Sequence, residues 1–545
     1  MNRFQDYIKS VEKGKTPACN LVKLAIDRHN RDLKRDGKDL KWKPEEGYKI
    51  VHRIEKYFRF YNKQWAHKPV KLEPWQVFSL MLRYGWFWDD GTMRFIKSYE
   101  EIARKNGKSI KKGWESLFHV MTGGPFSAVY NGATTESQAR IVVNAAGQTA
   151  LHSPEIKKFF HPFYYQKQVA KLAYEPKEST IDTLTSQAGK QDGLEPTYGI
   201  MDEYHEHPNS KLYDVIISGM GVGDNPMMDI ITTAGFDKTG PCYEKRKQAI
   251  DVLEGKTIDD DLFTLIYTID ELEGDGWKDE NEWYKANPNL GVSIPIKTMR
   301  AFFREAEKGG SAEVNFKTKH LNLWTDAASV WIPSDKIALC QKGPINIDRR
   351  RAFGGIQLAA TRGINCFCLC LPREDGGEDY KLFSWLPKGI ALEHDLKDSF
   401  LKWEEDNWIT LTDGNVIDYD FIISKIKEVR LQCELVNIQF APQYESSLMP
   451  LLDDGIELIK CANNYTNMTN VIGKFEGRVE EQAINHEGNP VLAWMMGHVA
   501  LKHGPDKTVR IDKEESLGPV PGPVAMLMSY KGLLNYKMEP SPGVY

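Results

Sequence analysis

The strongest chemical signal in this sequence is a segment that ends in Gly-Lys-Ser, Ala103-Arg104-Lys105-Asn106-Gly107-Lys108-Ser109. Gly-Lys-Ser closes a phosphate-binding loop, in which backbone N–H groups and the N-terminus of the following helix face nucleotide phosphates. Lys108 would reach the β- and γ-phosphates, and the Ser109 hydroxyl would hold Mg²⁺. Because Ile102 replaces the first glycine of the usual pattern, this motif alone is weak evidence for a nucleotide site.

A second signal follows further along the chain, where a short apolar strand ends in the acidic pair Asp202 and Glu203. In a nucleotide hydrolase, an Asp at this place steadies the Mg²⁺ shell, and the adjacent Glu activates the attacking water. The next predicted strand ends in Thr232, Thr233 and, two residues on, Gly235. Hydroxyls at a strand tip can sense the γ-phosphate and relay its loss, although a simple turn is the alternative interpretation.

The elements around the loop have the order that a nucleotide site requires. Residues 95–101 read as a strand and residues 110–121 as a helix, and the region from 70 to 260 alternates in the manner of an α/β sheet. Upstream, Gln76 carries an amide that can bond the adenine edge, and Trp75 can cover the adenine face. A helix that begins near Pro74 is a compatible, purely structural interpretation.

Composition and charge restrict the class of protein. The chain has 545 residues and a net charge of −5, which suggests several domains and no global basic field for indiscriminate nucleic-acid binding. The first 44 residues differ, with twelve Lys and Arg against six Asp and Glu, so they read as a DNA or partner arm or as a solvated helix face. Eight cysteines without a CxxC pair and no signal-peptide pattern favour a reducing cytosol over secretion.

Together these residues resemble the large terminase subunit of tailed double-stranded DNA phages, the motor that packages the genome into the capsid. The resemblance runs from about residue 45 to 535 and rests on residues 72–76, 104–109, 134–139, 200–207, 232–235 and 322–324. It implies ATP and Mg²⁺ as cofactors and a γ-phosphate contact by Arg104 within the same subunit. It also implies a cation supplied by a neighbouring subunit, for which Lys190 is the first candidate and Arg140 the second.

The resemblance carries further expectations about organisation and partners. It implies a P-loop ATPase domain (45–261), a helical lid and linker (262–340) and a ribonuclease H-like α/β domain (341–535). The basic helical arm indicated by charge (1–44) precedes them, and a tail (536–545) follows. Expected partners are double-stranded DNA, a portal protein, a small terminase subunit and further copies in a ring, expected to be pentameric, with no membrane involved. The implied location is the cytoplasm of a bacterial host.

The second domain of this family cuts DNA with a cluster of carboxylates that hold two Mg²⁺ or Mn²⁺ ions about 3.5–4 Å apart. In this sequence the four aligned positions carry Gln357, Gly363, Ala441 and Gly522. A Gln offers one neutral carbonyl oxygen, and Ala and Gly side chains offer no ligand. We therefore expect an inactive or strongly impaired nuclease that binds its metal weakly or not at all.

Two other interpretations stay open at this point. In the first, relocated acids restore a fully active packaging ATPase and endonuclease, with candidates at Asp453, Asp454, Asp506 and Asp512. In the second, the chain is a terminase-derived DNA-binding scaffold without motor activity. The intact loop and the Asp202–Glu203 pair argue against a scaffold, because a decayed motor would be expected to lose them.

Overall fold

The computed structural model describes residues 2–61, 65–185, 194–220, 225–238, 240–270, 275–326, 330–360, 362–394, 396–516 and 518–538. Lys190, the first candidate for a cation supplied to a neighbour, lies outside these described residues. The chain divides into two compact units, Met1–Thr325 and Asp326–Tyr545. The finer division of the chain into five segments stays a prediction.

The strands of the first unit build a small ribbon and one large sheet. They are β1 (Leu40–Trp42), β2 (Trp86–Trp88), β3 (Lys97–Glu101), β4 (Ala128–Ala133), β5 (Phe160–Tyr165), β6 (Gln168–Tyr174), β7 (Ser179–Thr185), β8 (Tyr198–Asp202), β9 (Met227–Thr232) and β10 (Leu262–Ile266). The large sheet has the order β10-β3-β9-β8-β4-β7-β6-β5. The strands from β10 to β7 run parallel, and β6 and β5 are antiparallel additions at one edge. Because parallel strands end at the same sheet edge, the loops after β3, β8 and β9 lie together.

Helices surround this sheet, as the alternating sequence predicts. They are α1 (Arg3–Glu12), α2 (Asn20–Asp32), α3 (Pro44–Tyr57), α4 (Pro74–Gly85), α5 (Lys108–Thr122), α6 (Glu136–His152), α7 (Lys211–Ser218), α8 (Pro241–Glu254), α9 (Glu280–Ala286), α10 (Ile296–Ala306) and α11 (Ser311–Asn315). Helix α5 follows the phosphate-binding loop directly and packs against α6. The strand–loop–helix context predicted for the loop is therefore present.

The first 44 residues pack into the core of the first unit and do not form a free arm. Phe4, Tyr7 and Val22 are buried in the same apolar cluster as Phe78 of α4. Some of its basic residues form ion pairs with other parts of the unit, such as Arg35 with Asp260 at 2.8 Å. Apolar residues recur at helical spacing in this segment. The free energy gained by burying them holds the helices against the core, while the positively charged faces stay exposed.

Residues 267–323, within the segment expected to be a lid, have a small core of their own. Ile269, Trp277, Trp283, Phe316 and Leu323 are among its buried members. The first residues of the expected lid differ from the prediction, because 262–266 form β10 and pair with β3 in the large sheet. An apolar run of five residues suits a buried parallel strand better than the start of a charged helix.

The second unit holds another mixed sheet with helices. Its elements are α12 (Ser334–Ala338), β11 (Arg351–Gln357), β12 (Asn365–Pro372), β13 (Glu378–Pro387), α13 (Lys388–Glu393), α14 (Lys397–Glu405), β14 (Thr410–Thr412), α15 (Tyr419–Gln432), β15 (Glu434–Phe440), α16 (Glu445–Asp453), β16 (Glu457–Lys460), α17 (Tyr465–Glu480), β17 (Ile484–Asn485), α18 (Pro490–Met496), β18 (Ala500–His503), β19 (Val509–Asp512) and α19 (Pro521–Met538).

The sheet of the second unit has the order β14-β13-β12-β11-β15-β16. Strands β11, β12 and β13 form an antiparallel meander. Strand β15 pairs in parallel with β11, and β16 pairs in parallel with β15. Helix α19 packs across β11, β12 and β15. This arrangement is the ribonuclease H-like α/β fold expected from the sequence, and the prediction of two α/β units is confirmed.

Two other expectations concern the cysteines and membranes. All eight cysteines are buried, and none of them forms a disulfide bond. Cys366, Cys368 and Cys370 alternate along β12 with their side chains in the core, as the strand period predicts. Across the described residues, no helix combines the length and apolar character that crossing a bilayer requires.

Candidate functional site

The phosphate-binding loop lies between β3 and α5 at the carboxyl edge of the large sheet. Gly107 has φ +87°, a left-handed conformation that glycine adopts without a steric penalty. The turn at Gly107 starts α5 at Lys108, and the first N–H groups of a helix have no acceptor within the helix. The loop therefore presents backbone donors and the positive end of α5 in the way that anion binding requires.

The four residues expected to bind phosphate, hold Mg²⁺ and activate the attacking water meet at this edge. The Ser109 hydroxyl donates to Oδ2 of Asp202 at 3.2 Å. The Lys108 ammonium lies 3.8 Å from Oε1 of Glu203 and donates to the Ile102 carbonyl at 3.3 Å. Strand β3 and strand β8 are separated by β9 in the sheet, so β9 sets the spacing between the lysine and the acids.

Burial changes the ionisation of these groups. Burial, aided by the nearby charge of Glu203, raises the pKa of Asp202 to about 7. Burial also opposes the charge of Glu203, but Lys108, His205, Arg104 and a hydrogen bond from the Thr233 backbone together outweigh it and keep the pKa of Glu203 below its ordinary value. The pKa of Lys108 is lowered, mainly by burial. Glu203 is thus held as a carboxylate, the form that can accept a proton from water.

Glu203 is held in an uncommon backbone conformation. Its φ of +47° lies in the left-handed region, which costs a non-glycine residue about 1–2 kcal/mol. His205, two residues later, anchors this segment. The backbone N–H of His205 donates a hydrogen bond to Oγ1 of Thr232 at 3.0 Å. Nδ1 of His205 lies 3.4 Å from Oε2 of Glu203 and 3.0 Å from the same threonine hydroxyl. Thr232 at the end of β9 therefore contacts the segment that carries Glu203.

The other residues expected to couple the site lie beside this contact. The Thr233 hydroxyl is 3.4 Å from Nδ1 of His205. Gly235 is packed so closely that an added Cβ would lie 3.0 Å from the Cβ of His205 and 3.2 Å from the Trp324 ring. A coupling role for Thr232, Thr233 and Gly235 stays a prediction.

Arg104 reaches across the loop toward the segment after β8. Its guanidinium lies 3.8 Å from Oε1 of Glu206, and its backbone N–H donates to the Lys319 carbonyl at 2.9 Å. Its Nε is buried and has no hydrogen-bond partner among the residues that the structure describes. A buried donor without an acceptor is costly, and a phosphate oxygen would satisfy it. The residues present fit a Mg²⁺-bound nucleoside triphosphate.

Trp75 and Gln76, expected near adenine, open helix α4. Both are buried, and the Gln76 carbonyl oxygen accepts a hydrogen bond from the Glu73 N–H at 2.9 Å as part of a capping box. The Trp75 indole donates to Oδ1 of Asn289 at 3.0 Å. The helix-start interpretation thus describes their contacts in this structure, and an adenine contact stays a prediction.

Sequence reasoning missed the buried amide link between the phosphate-binding loop and residues 287–289. Asn106 donates to the Asn287 side chain at 2.9 Å and to the Ala103 carbonyl at 2.9 Å. Its Oδ1 accepts the Asn289 N–H at 3.1 Å. The sequence Asn287-Pro288-Asn289 is typical of a turn. Nothing in the local sequence indicates that this turn bonds Asn106, about 180 residues earlier.

Replacing Asn106 by Ala should lower the free energy of unfolding by about 2–4 kcal/mol. The substitution leaves the side-chain Oδ1 of Asn287 and the backbone N–H of Asn289 buried without their hydrogen-bond partner. Urea unfolding measures the effect. The matched control is Asn30→Ala on an exposed face of α2, which should change stability by less than about 0.5 kcal/mol. Equal effects of the two substitutions would show that the link contributes nothing.

A second buried connection that the sequence did not reveal centres on Glu101, at the end of β3. Its carboxylate accepts hydrogen bonds from Asn322 at 3.2 Å and Trp324 at 3.1 Å. Arg246 of α8 adds an ion pair at 3.2 Å. The Asn322 side-chain oxygen in turn accepts the Ala234 N–H at 2.7 Å. Residues 322–324 therefore link this part of the chain to the end of β3, through Glu101, and to the segment that follows β9, through Ala234.

Arg140, the second candidate for a cation acting on a neighbour, is used within its own chain. It pairs with Glu136 one helical turn earlier, and its guanidinium lies 4.7 Å from the centre of the Tyr165 ring. The side chain is 7% exposed. A role on a neighbouring subunit stays a prediction and would require the Tyr165 ring to move.

The positions expected to hold nuclease acids lie in the second unit, and three of them are in its interior. Gln357 ends β11 and is 4% exposed, and Ala441 follows β15 and is also 4% exposed. Gly522 is buried in the first turn of α19, whereas Gly363 is partly exposed before β12. The Gln357 amide donates to the Leu358 carbonyl at 2.7 Å. Its Oε1 has no partner in the described part of the chain.

Apolar side chains occupy the space around two of these positions, Ala441 and Gly522. Ala441 belongs to an apolar cluster with Cys366, Val524 and Met495. A Cβ added at Gly522 would lie 2.6 Å from Cε of Met495, closer than real Cβ contacts allow. An acid at position 522 therefore requires Met495 to move. Removal of acids from an otherwise unchanged site would leave a polar cavity, whereas Ala441 and Gly522 are packed against hydrocarbon and thioether groups.

The acids considered as replacement nuclease ligands form no metal-binding cluster among the described residues. Asp454 pairs with Lys427 at 2.6 Å, and Asp512 lies 3.5 Å from Lys502 on the β18–β19 ribbon. Asp506 is exposed with φ +56°, and the side chain of Asp453 lies outside the described residues. Among the described side chains of the second unit, no three His, Cys, Asp or Glu ligands lie within metal-binding reach of one another.

Comparison with known proteins gives a consistent family. The model of the terminase large subunit ATPase domain matches residues 74–251, and the model of the terminase large subunit endonuclease domain matches residues 256–535. Protein YmfN of Escherichia coli (strain K12) is 32% identical over 381 residues, which cover 65% of this chain and 82% of that protein.

The large terminase subunit of Enterobacteria phage HK97 is 24% identical over 498 residues, 89% of this chain and 94% of the relative. The crystal structure of the HK97 bacteriophage large terminase covers 89% of this chain and 99% of its own, with a TM-score of 0.51 and 23% identity. At that identity the structural match supports the fold. The endonuclease-domain match alone covers more than half of the chain, so this protein belongs to the terminase large subunit family.

Proposed function

We propose that this protein is the ATP-hydrolysing subunit of a motor that packages double-stranded viral DNA, and that its nuclease-fold unit does not cut DNA. The observation that supports the motor is the meeting of Lys108, Ser109, Asp202 and Glu203 at one sheet edge. These are the groups needed to bind the phosphates, hold Mg²⁺ and activate water. Membership of the terminase large subunit family supports DNA as the cargo.

Each residue has one task in the proposed reaction. Lys108 and the N-terminus of α5 bind the β- and γ-phosphates, and Ser109 and Asp202 would hold the Mg²⁺ that neutralises phosphate charge. Glu203 accepts a proton from the attacking water. Arg104 places its cation on the γ-phosphate. Thr232 contacts His205 beside Glu203, and this contact is the route by which loss of the phosphate reaches β9.

The proposed loss of cutting rests on the environment of the aligned positions. Two-metal hydrolysis requires several carboxylates that face both hydrated metal ions and a DNA strand. Gln357 offers a single neutral oxygen and Ala441 offers no ligand atom, and both residues are only 4% exposed, so these positions lack the carboxylates that the reaction requires. The second unit would then serve to hold DNA or to transmit motion. The alternative of relocated acids lacks an assembled ligand cluster among the described side chains.

The proposed partners follow from the family and from the reaction. They are double-stranded DNA, a portal protein, a small terminase subunit and further copies of this chain in a ring, expected to have five members. DNA contacts should go mainly to phosphates, so that binding is insensitive to base sequence and falls steeply with salt. Lys190 or another cation from a neighbour would complete the ATP site in the ring.

ATP hydrolysis measured with and without linear duplex DNA tests the motor assignment. We expect DNA to raise the rate, and the increase should disappear as salt rises, because the stimulation depends on phosphate contacts. Lys108→Ala provides the baseline for contaminating ATPases. Hydrolysis that ignores DNA at every salt concentration would favour the terminase-derived scaffold and overturn the proposal.

A further inference from the structure

The hairpin formed by β5 and β6 carries an unusual exposed surface. It lies at the edge of the large sheet, where β5 is the terminal strand. Phe163, Tyr164 and Tyr165 are 48%, 58% and 48% exposed, although rings of this size are normally buried in a monomer. Phe159, just before β5, is also exposed. Four exposed aromatic rings thus lie between residues 159 and 165, and exposed apolar surface of this kind marks an interaction site.

The charge of this segment identifies the class of occupant. Residues 156–174 contain four lysines and no Asp or Glu, in a chain whose net charge is −5. Lys171 is paired with Asp182 at 2.9 Å. Lys157, Lys158 and Lys167 are exposed, and no ion pair joins them to an acid among the residues that the structure describes. The Lys158 ammonium lies 4.9 Å from the centre of the Phe159 ring. Three cations without an acidic partner, interleaved with aromatic rings, suit a polyanion with flat apolar surfaces.

The tip of the hairpin is shaped to project these groups. Gln166 and Lys167 connect the strands with φ of +47° and +65°, as in the two-residue turns that match the twist of a β-ribbon. Neither is glycine or asparagine, so the conformation is strained. Lys167 therefore lies in the turn at the end of the ribbon, two residues after Tyr165.

The tip is also connected to the ATP site through α6. The Tyr165 ring covers the guanidinium of Arg140, and Gln138 in the first turn of α6 donates to Glu206. Glu206 lies 3.8 Å from Arg104 of the phosphate-binding loop. A ligand that displaces the Tyr165 ring would therefore act on the helix that contacts the catalytic segment.

We propose that the β5–β6 hairpin is a contact site for duplex DNA, with Lys157, Lys158 and Lys167 on phosphates and the aromatic rings against the sugars. This inference rests on the proposed function, since it names the surface by which the motor touches its cargo. The contact is independent of base sequence, because neither lysine–phosphate pairs nor rings on sugars read base edges.

The test measures duplex DNA affinity against salt concentration for the full chain and for the variant Lys157→Ala/Lys158→Ala/Lys167→Ala. Each lost phosphate contact removes about 0.9 from the slope of log affinity against log salt, so the triple variant should lose about 2–3 from the slope. Lys157→Arg/Lys158→Arg/Lys167→Arg should keep the slope of the unmodified protein. The matched control removes three exposed lysines elsewhere in the first unit, Lys247, Lys256 and Lys308.

The outcomes separate this inference from the proposed function. An unmodified protein with no salt-dependent DNA binding would contradict the proposed function itself. A normal slope for the unmodified protein and the same slope for the triple alanine variant would overturn the hairpin inference alone. An equal loss in the control variant would also overturn it, because net charge would then be the cause. Reduced self-association with an unchanged slope would assign the patch to a neighbouring copy and overturn the inference.

Discussion

The variant Glu203→Gln binds ATP and hydrolyses it at least about a hundredfold more slowly than the unmodified protein. The amide keeps the size of the side chain but cannot accept the proton of the attacking water, and general-base catalysis contributes about 10²–10⁴-fold. The phosphate contacts of Lys108 and the hydroxyl of Ser109 are unchanged, so nucleotide stays bound. Single-turnover hydrolysis and retention of labelled ATP on a filter give the two quantities.

Lys108→Ala is the companion variant and should lose both hydrolysis and tight nucleotide binding. The lysine is the cation expected at the β- and γ-phosphates, and it is buried 3.8 Å from Glu203. Lys285→Ala, at a lysine outside the ATP site that pairs with Asp270, is the control and should retain normal turnover. Normal turnover in Glu203→Gln or Lys108→Ala would contradict the assignment of the site.

Ala441→Asp should destabilise the second unit by about 3–5 kcal/mol and should not produce a nuclease. Ala441 is 4% exposed within an apolar cluster, and an unpaired carboxylate buried there costs several kcal/mol or remains protonated. Urea unfolding of the full chain gives the change in stability. The matched control is Ala338→Asp, the same substitution at an exposed helix position, which should cost less than about 1 kcal/mol.

Plasmid cleavage completes this prediction. With Mg²⁺ or Mn²⁺, the unmodified protein and Ala441→Asp should both leave supercoiled plasmid intact, because the aligned positions offer too few ligands to hold two metal ions. Linear plasmid formed by the unmodified protein would show that other acids supply the ligands. Asp454→Asn and Asp512→Asn would then identify which of the relocated acids matters. A fully stable Ala441→Asp protein would contradict the packed interior described for this position.

The ATP site could be predicted from the sequence because its parts are local. Gly107, Lys108 and Ser109 are adjacent, and the Asp202–Glu203 pair ends a short apolar strand. In a parallel sheet, strand ends meet at one edge, so the order of elements is enough to bring Ser109 to Asp202. The residue types missing from the nuclease positions were equally visible, because a side chain without oxygen ligands needs no structure to be recognised.

The tertiary structure decided the features that depend on pairs distant in sequence. No local pattern indicates that Asn106 bonds Asn287 and Asn289, that Met495 fills the space beside Gly522, or that a basic aromatic hairpin stays exposed at a sheet edge. Burial and partner choice are properties of packing, and packing depends on which segments the fold brings together. The sequence by itself therefore determined which chemical groups this protein has, and the fold decided which of them are buried, linked or presented to a partner.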